Sequence, residues 1–442
     1  MNRRQITRRQ FLGGAAGAAF VVTIVPPHVL GGEAGKPPSD KLNIACVGVG
    51  GRAGAHVDAA SGQNLVAMCD ADKDRLGAQA KKHPKAKTYT DYRKMLDEVA
   101  KDIDAVFVAT PDHHHAFATM AAIKLGKHVY CEKPLTHSVW EARQVAEAAR
   151  KAKVATQMGN QGLSNEGPRL LTEWIAADAI GKVSEVHIWT DRPGGWWPQG
   201  FKERPASKST PANLDWEQWI GPAPYRDYHD NLHPFKWRGW WDFGTCALGD
   251  IGCHAMAPVF MALKLGYPTA LEAETSGNFP ECGPNWSIIR YEFPARGGMA
   301  PVKLFWYDGG KTPPRPEELE KDRKWDSNGT LLVGDKGKIM LSDYNPRIIP
   351  DAKMQEFKRP PKDLPRVPNG NHHEDWFIAC KGGRPACSNF DFAGPLAEAV
   401  LAGNVAIRVG KRLEWDGPNM KATNAPEADK YIRREYRKGW SL

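Results

Sequence analysis

Residues 43–57 read NIACVGVGGRAGAHV: an apolar run, a glycine-rich turn and the start of a helical stretch. The turn Gly48-Val49-Gly50-Gly51-Arg52-Ala53 has G-x-G-x-x-A spacing, in which glycines let the backbone approach a pyrophosphate and aim helix N–H groups at it. The next apolar run, Leu65 to Cys69, is followed by Asp70, whose carboxylate can accept from a ribose hydroxyl. Strand, glycines, helix, strand and acid in that order predict a dinucleotide pocket, with Gly48, Gly50, Gly51, Arg52 and Asp70 against the nucleotide. The charge of Asp70 disfavours a 2′-phosphate and so favours NAD; Arg52 and Arg75 keep NADP as the lesser alternative.

Outward from that turn the rhythm repeats. Apolar runs at Leu42–Val47, Leu65–Cys69, Ala105–Ala109 and Val129–Cys131 alternate with helical patterns such as Val139, Ala142, Val145, Ala146 and Ala149. This predicts a parallel, doubly covered Rossmann sheet over residues 41–160. From Val183 the strand-like runs (186–190, 271–276, 286–293, 302–307 and 330–333) have few helices between them. They predict a second, α+β domain over residues 161–442 with an open, largely antiparallel sheet. Helical segments 375–380 and 393–404 are expected to pack back on the first domain.

Bulk properties narrow the class. A chain of 442 residues is long enough for two cores, and after Val25 it has no second long apolar stretch. The formal charge is +9, of which the arginines and the one glutamate of the opening segment supply +3. The remainder is dispersed apart from a basic tail at 430–438, which argues against a nucleic-acid partner. Eight cysteines form no C-x-x-C pair, so structural disulfides are not expected.

The opening segment has its own reading. Thr7-Arg8-Arg9-Gln10-Phe11-Leu12 followed by an apolar run to Val25 is a twin-arginine type of export signal, the run being too short for a bilayer span. A signal over residues 1–34, cleaved near Gly35, predicts passage through the twin-arginine machinery to the periplasm or beyond. An uncleaved anchor is the alternative.

Ala109-Thr110-Pro111-Asp112-His113-His114-His115 and Cys131-Glu132-Lys133-Pro134-Leu135 follow the third and fourth apolar runs. Strand-Thr-Pro and then Glu-Lys-Pro, behind this glycine turn, resemble the glucose-fructose oxidoreductase, inositol dehydrogenase and rhizopine-catabolism family (Gfo/Idh/MocA). The resemblance implies that Lys133 lies beside the nicotinamide and contacts substrate, with Thr110, Pro111, His113 and Glu132 on the cofactor side. It also implies an open-sheet second domain that commonly forms an oligomer interface. One or two members of the histidine triplet are expected on the cofactor side and their neighbours solvated.

Asp250 and His254 stand four residues apart where an apolar helical pattern begins, so both fall on one helix face. An oriented imidazole suits proton transfer near neutral pH. Family members carry a similar Asp-x-x-x-His, which implies substrate contact and acid/base work for this pair. The alternatives are a core histidine satisfied by Asp250, or two metal ligands awaiting a third from 113–115 or His233; no further ligand spacing supports a metal.

Half of the sixteen tryptophans fall between Trp189 and Trp241, and aromatic faces suit sugar rings, although about half of these are expected in the core. His233 and Arg238 are the expected substrate contacts. Together these features predict an NAD(P)-dependent oxidoreductase acting on a sugar or cyclitol hydroxyl. A redox-neutral, NAD-dependent glycosidase and a non-catalytic carbohydrate-binding protein are the competing readings. Paired with export, the pocket further predicts a tightly held NAD(H) recycled in place.

Overall fold

The computed structural model describes residues 40–442; the twin-arginine segment lies outside them. Six parallel strands, β1 (Asn43–Val47), β2 (Asn64–Cys69), β3 (Lys87–Tyr89), β4 (Ala105–Val108), β5 (His128–Cys131) and β6 (Thr156–Met158), lie in the order β3-β2-β1-β4-β5-β6. Their apolar residues are buried because helices cover the sheet, among them 54–61, 112–124 and 139–152. Local chemistry sets the helix starts: Asp72 and Asp91 cap the helices at 73 and 92, and Ser138 with Glu141 forms a capping box at 139. Strand order reverses between β1 and β4, which places the ligand crevice at their carboxyl ends.

The second sheet contains β7 (Val183–Trp189), β8 (Ala270–Thr275), β9 (Ser287–Phe293), β10 (Val302–Tyr307), β11 (Gly329–Gly334), β12 (Lys338–Ser342), β13 (Asn345–Ile349), β14 (Leu413–Asp416) and β15 (Lys421–Ala422). Its order is β13-β12-β11-β7-β10-β9-β8-β14-β15, antiparallel except for the β7–β10 pair. Alternation along β9, with Ser287, Ile289, Tyr291 and Phe293 buried, gives this sheet its core face.

Two helices tie the halves together. Trp376, on helix His372–Cys380, lies 4.8 Å ring to ring from Phe107 of β4. The mostly buried helix Phe390–Val409 packs on helix Val139–Ala152, closely enough that a Cβ at Gly394 would sit 2.9 Å from that of Ala146.

The segment between β7 and β8 has a small core of its own, built from Leu214, Trp216, Trp219, Ile220, Tyr228, Leu232, Trp237, Trp240 and Phe243. All eight cysteines are free thiols.

Candidate active site

The glycine turn behaves as its spacing requires. Gly48 has φ +84° and a Cβ there would lie 2.5 Å from the carbonyl oxygen of Ala109; Gly51 has φ +58°. A side chain at Gly50 would overlap the guanidinium of Arg75, which lies over the turn. At the end of β2, Asp70 accepts the Val49 and Asp72 N–H groups at 2.9 Å each. Burial pushes this carboxyl up, against the lowering effect of those two donors and of Arg75. These residues, with Arg52, Thr110, Pro111, Glu132 and Lys133, line one cleft of about 500 Å³. The Thr110 hydroxyl is buried without a partner. A turn that requires glycine at 48 and 51, a carboxylate at the ribose position and an unmatched hydroxyl fit a dinucleotide.

Along the sheet, past β1 and β4, the cleft changes character. Lys133 Nζ donates to Asp250 Oδ1 at 2.5 Å and to the carbonyl oxygen of Asp250 at 2.8 Å. Arg238 Nε adds a third contact, 3.3 Å from the same Oδ1. Asp250 sits in a π-helical turn, Leu248–Gly252, a local widening often found at functional sites. Burial alone would raise its carboxyl, but Lys133 and Arg238 outweigh that and bring it down to about 2.

His254 lines the same cleft, but its Nδ1 is buried with no partner. Burial first, then the Lys133 charge, lowers this imidazole to about 4, so it is neutral at pH 7. Asp250 is committed to Lys133 and Arg238, which removes the reading of His254 as a core histidine satisfied by Asp250. Among the described residues, no group of three or more His, Cys, Asp or Glu is arranged to hold a metal.

The histidine triplet departs from expectation, for all three rings are buried. His113 does not reach the cleft: its nitrogens face the carbonyl oxygens of Phe243 (3.3 Å) and Trp219 (2.9 Å), so the cofactor contact expected there is corrected. His114 lines the cleft instead. His115 has Nδ1 2.6 Å from the Pro134 carbonyl and Nε2 2.8 Å from that of Thr110. Two carbonyl acceptors favour an imidazolium; at His113 burial suppresses it, whereas at His115 it forms. Burial opposes it, but the Cys131 sulfur, Asp112 and the Pro134 carbonyl push the ring up to about 10. His115 thereby clamps the Thr-Pro and Lys-Pro turns together.

His233 is also corrected. It lines the cleft, yet its Nε2 lies 3.2 Å from Asp72 Oδ2, at the β2 end. Three strand spacings, about 14 Å, separate β2 from β5 and Lys133. That is the nucleotide side, not the substrate side. Arg238 stays with Asp250, its guanidinium 4.0 Å from the Phe235 ring and 4.4 Å from Trp237. Of the eight tryptophans from 189 to 241, seven are buried, more than expected, and only Trp219 and Trp237 line the cleft.

His56 and Gln161, with His373 behind them, carry no motif in the sequence and gather here round Glu132. Glu132 accepts from His56 Nε2 at 2.9 Å and Gln161 Nε2 at 2.8 Å, while His56 Nδ1 meets His373 Nε2 at 2.8 Å. Burial would raise Glu132, but His56, Lys133 and Arg52 hold it well below the carboxylate range. Asp72 was legible as the second acid after β2, in Asp70-Ala71-Asp72.

A parallel sheet with a glycine turn at its switch point, joined to an open-sheet domain that brings Asp250 and His254 to Lys133, defines a two-domain dinucleotide-binding protein. The chain belongs to the Gfo/Idh/MocA oxidoreductase family: residues 42–160 match its NAD-binding Rossmann fold and residues 191–300 its C-terminal alpha/beta domain. It is 33% identical over 129 residues to 1,5-anhydro-D-fructose reductase of Ensifer adhaerens, covering 29% of this chain and 38% of the relative. It is 31% identical over 152 residues to inositol 2-dehydrogenase of Salmonella typhimurium, covering 33% and 45%. The chain thus aligns with less than half the length of these curated relatives. In fold it is similar to the WlbA dehydrogenase of Chromobacterium violaceum, solved with NADH and UDP-GlcNAcA. That match has a TM-score of 0.59 at 18% identity and covers 85% of this chain and 96% of that one.

Proposed function

We propose that this protein is an exported oxidoreductase that moves a hydride between a tightly held nicotinamide dinucleotide, NAD in preference to NADP, and a secondary hydroxyl of a sugar or cyclitol. The observation that carries this reading is the meeting of Lys133, Asp250 and His254 in one cleft with the glycine turn and Asp70. Relatives named for an anhydrohexose and an inositol support the substrate class.

When bound, nicotinamide supplies a two-electron hydride acceptor or donor. Gly48, Gly51, Asp70 and Thr110 would hold the dinucleotide. Of the three N–H groups of the Lys133 ammonium, two are engaged by Asp250, leaving one to steady a substrate oxygen as negative charge develops on it. His254 is neutral and lines the cleft; with Nδ1 buried, its Nε2 takes the hydroxyl proton in oxidation and returns it in reduction. Arg238, held against Phe235 and Trp237, offers its remaining donors to substrate hydroxyls, and the Trp219, Phe235 and Trp237 rings exclude water.

The test is a sugar and cyclitol screen on purified protein, following nicotinamide absorbance, with a Lys133→Ala, His254→Ala double variant as control. Turnover by the parent and none by the variant is expected; equal rates would end the assignment. Release of aglycone from aryl glycosides without added cofactor would replace it with a redox-neutral glycosidase.

A further inference from the structure

The segment between β7 and β8 does more than fill space. Its backbone bridges to the β2 end at Leu214–Asp72, with Lys73 N–H donating to the Asn213 carbonyl (2.8 Å) and Asp215 N–H to that of Ala71 (2.9 Å). Asn213 Nδ2 donates to Asp72 Oδ1 at 3.0 Å, and His233 Nε2 lies 3.2 Å from Asp72 Oδ2. Twenty residues of chain thus return to one carboxylate.

The same segment is also fastened across the switch point. The Trp219 carbonyl meets His113 and His114 of the helix after β4, at 2.9 and 3.0 Å, and the Phe243 carbonyl takes the His113 N–H at 3.3 Å. The glycine turn that follows β1 lies between these two anchorages, since β1 stands between β2 and β4. Gln218, Trp219 and His233 line the cleft from the segment, in the same cleft as Gly48, Gly50, Asp70 and Thr110.

From this geometry we infer that residues 213–243 are a strap over the nucleotide half of the cleft, that Asn213, hydrogen-bonded to Asp72 with the His233 ring against the same carboxylate, is its latch, and that the latch sets how slowly a dinucleotide leaves. Asn213 and His233 are on this account positioning residues, holding the strap rather than touching reacting atoms. Asp72 suits the part because it is 4% exposed and already fixed as a helix cap by the Asp74 and Arg75 N–H groups. The Asn213 amide donating to such a carboxylate makes a charge-assisted bond with little entropy left to lose. The inference rests on the reading of the cleft as a dinucleotide site.

The experiment loads the full chain with NADH and follows loss of its fluorescence when excess NAD is added. The parent, His233→Ala, His233→Gln and Asn213→Ala are compared, with melting temperatures of the cofactor-free forms alongside. At unchanged melting temperature, Asn213→Ala is expected to release NADH about tenfold faster, the equivalent of one hydrogen bond to a charged group. His233→Ala, which removes only the ring packed beside Asp72, should fall between Asn213→Ala and the parent, and His233→Gln, which keeps most of that bulk, should lie closer to the parent. Equal release rates in the parent and both alanine variants would overturn the strap while leaving the site intact. A parent that binds no NADH would instead overturn the dinucleotide reading, and the strap's role with it.

Discussion

Lys133 Nζ lies 2.5 Å from Oδ1 of Asp250 and 2.8 Å from the carbonyl oxygen of the same residue. One ammonium thus joins the turn after β5 to the π-helical turn of the second domain, so the two halves of the cleft are fixed relative to one another by the group proposed to meet the substrate oxygen. Truncation at Lys133 removes that group and leaves the nucleotide side untouched. Lys133→Ala should lower kcat by a factor of about 10² to 10⁴ while NADH binding, read by fluorescence titration, stays within a few-fold. Loss of NADH binding in step with kcat would assign Lys133 to cofactor attachment instead.

The His254 imidazole, lowered to about 4 by burial and by Lys133, must be neutral to accept a proton. In the oxidising direction kcat/KM should therefore be lost as pH falls through about 4 and be flat from about 5 to 7. His254→Asn should remove the acid limb together with most of the rate. A limb that survives in His254→Asn would belong to another group.

Much of this was legible in one stretch of sequence and one spacing. Glycines at 48, 50 and 51 gain their meaning from the strand before them, the helix after them and Asp70 at the end of the next strand, and Asp250 with His254 at i and i+4 is a local pattern that an α-helix brings to one face. What was not legible depends on distant partners. His56 finds His373 across 317 positions, and the histidine triplet looks solvated until carbonyls of residues 219 and 243 arrive to bury it. The β12–β13 hairpin turns through Asp343 and Tyr344 with φ of 45° and 70° and no glycine to mark it, so the sequence reading passed over that pair of strands. Of the tryptophans from 189 to 241, about half are expected in the core and seven are buried, because aromatic letters do not distinguish a cleft wall from a small core.

On the proposed preference for NAD, cofactor choice would turn on Asp70, whose oxygens receive two backbone N–H groups in the cleft where a ribose would lie. Asp70→Asn keeps an acceptor and removes the charge that repels a 2′-phosphate, while Arg75 remains beside the turn. The ratio of NADPH to NADH affinity should rise about tenfold or more, and less so in high salt, where the charge is screened. An unchanged ratio would move the discrimination to Asp72, which holds Arg75 at 3.3 Å.

Asp250 also carries a stability prediction. Its carboxyl sits near 2 in the fold, against an ordinary value of 3.8, because Lys133 and Arg238 more than offset its burial. A depressed carboxyl stabilises the fold above its unfolded value, and that contribution drains away as pH falls from about 4 to about 2. Nearly two pH units correspond to about 2 kcal/mol. Asp250→Asn should therefore lose about 2 kcal/mol at pH 7, measured by urea unfolding, because it leaves two cations without their shared counter-charge. The gap between parent and variant should close between pH 4 and pH 2. A gap that persists at pH 2 would mean that shape and hydrogen bonding at Asp250, rather than its charge, hold the two domains together.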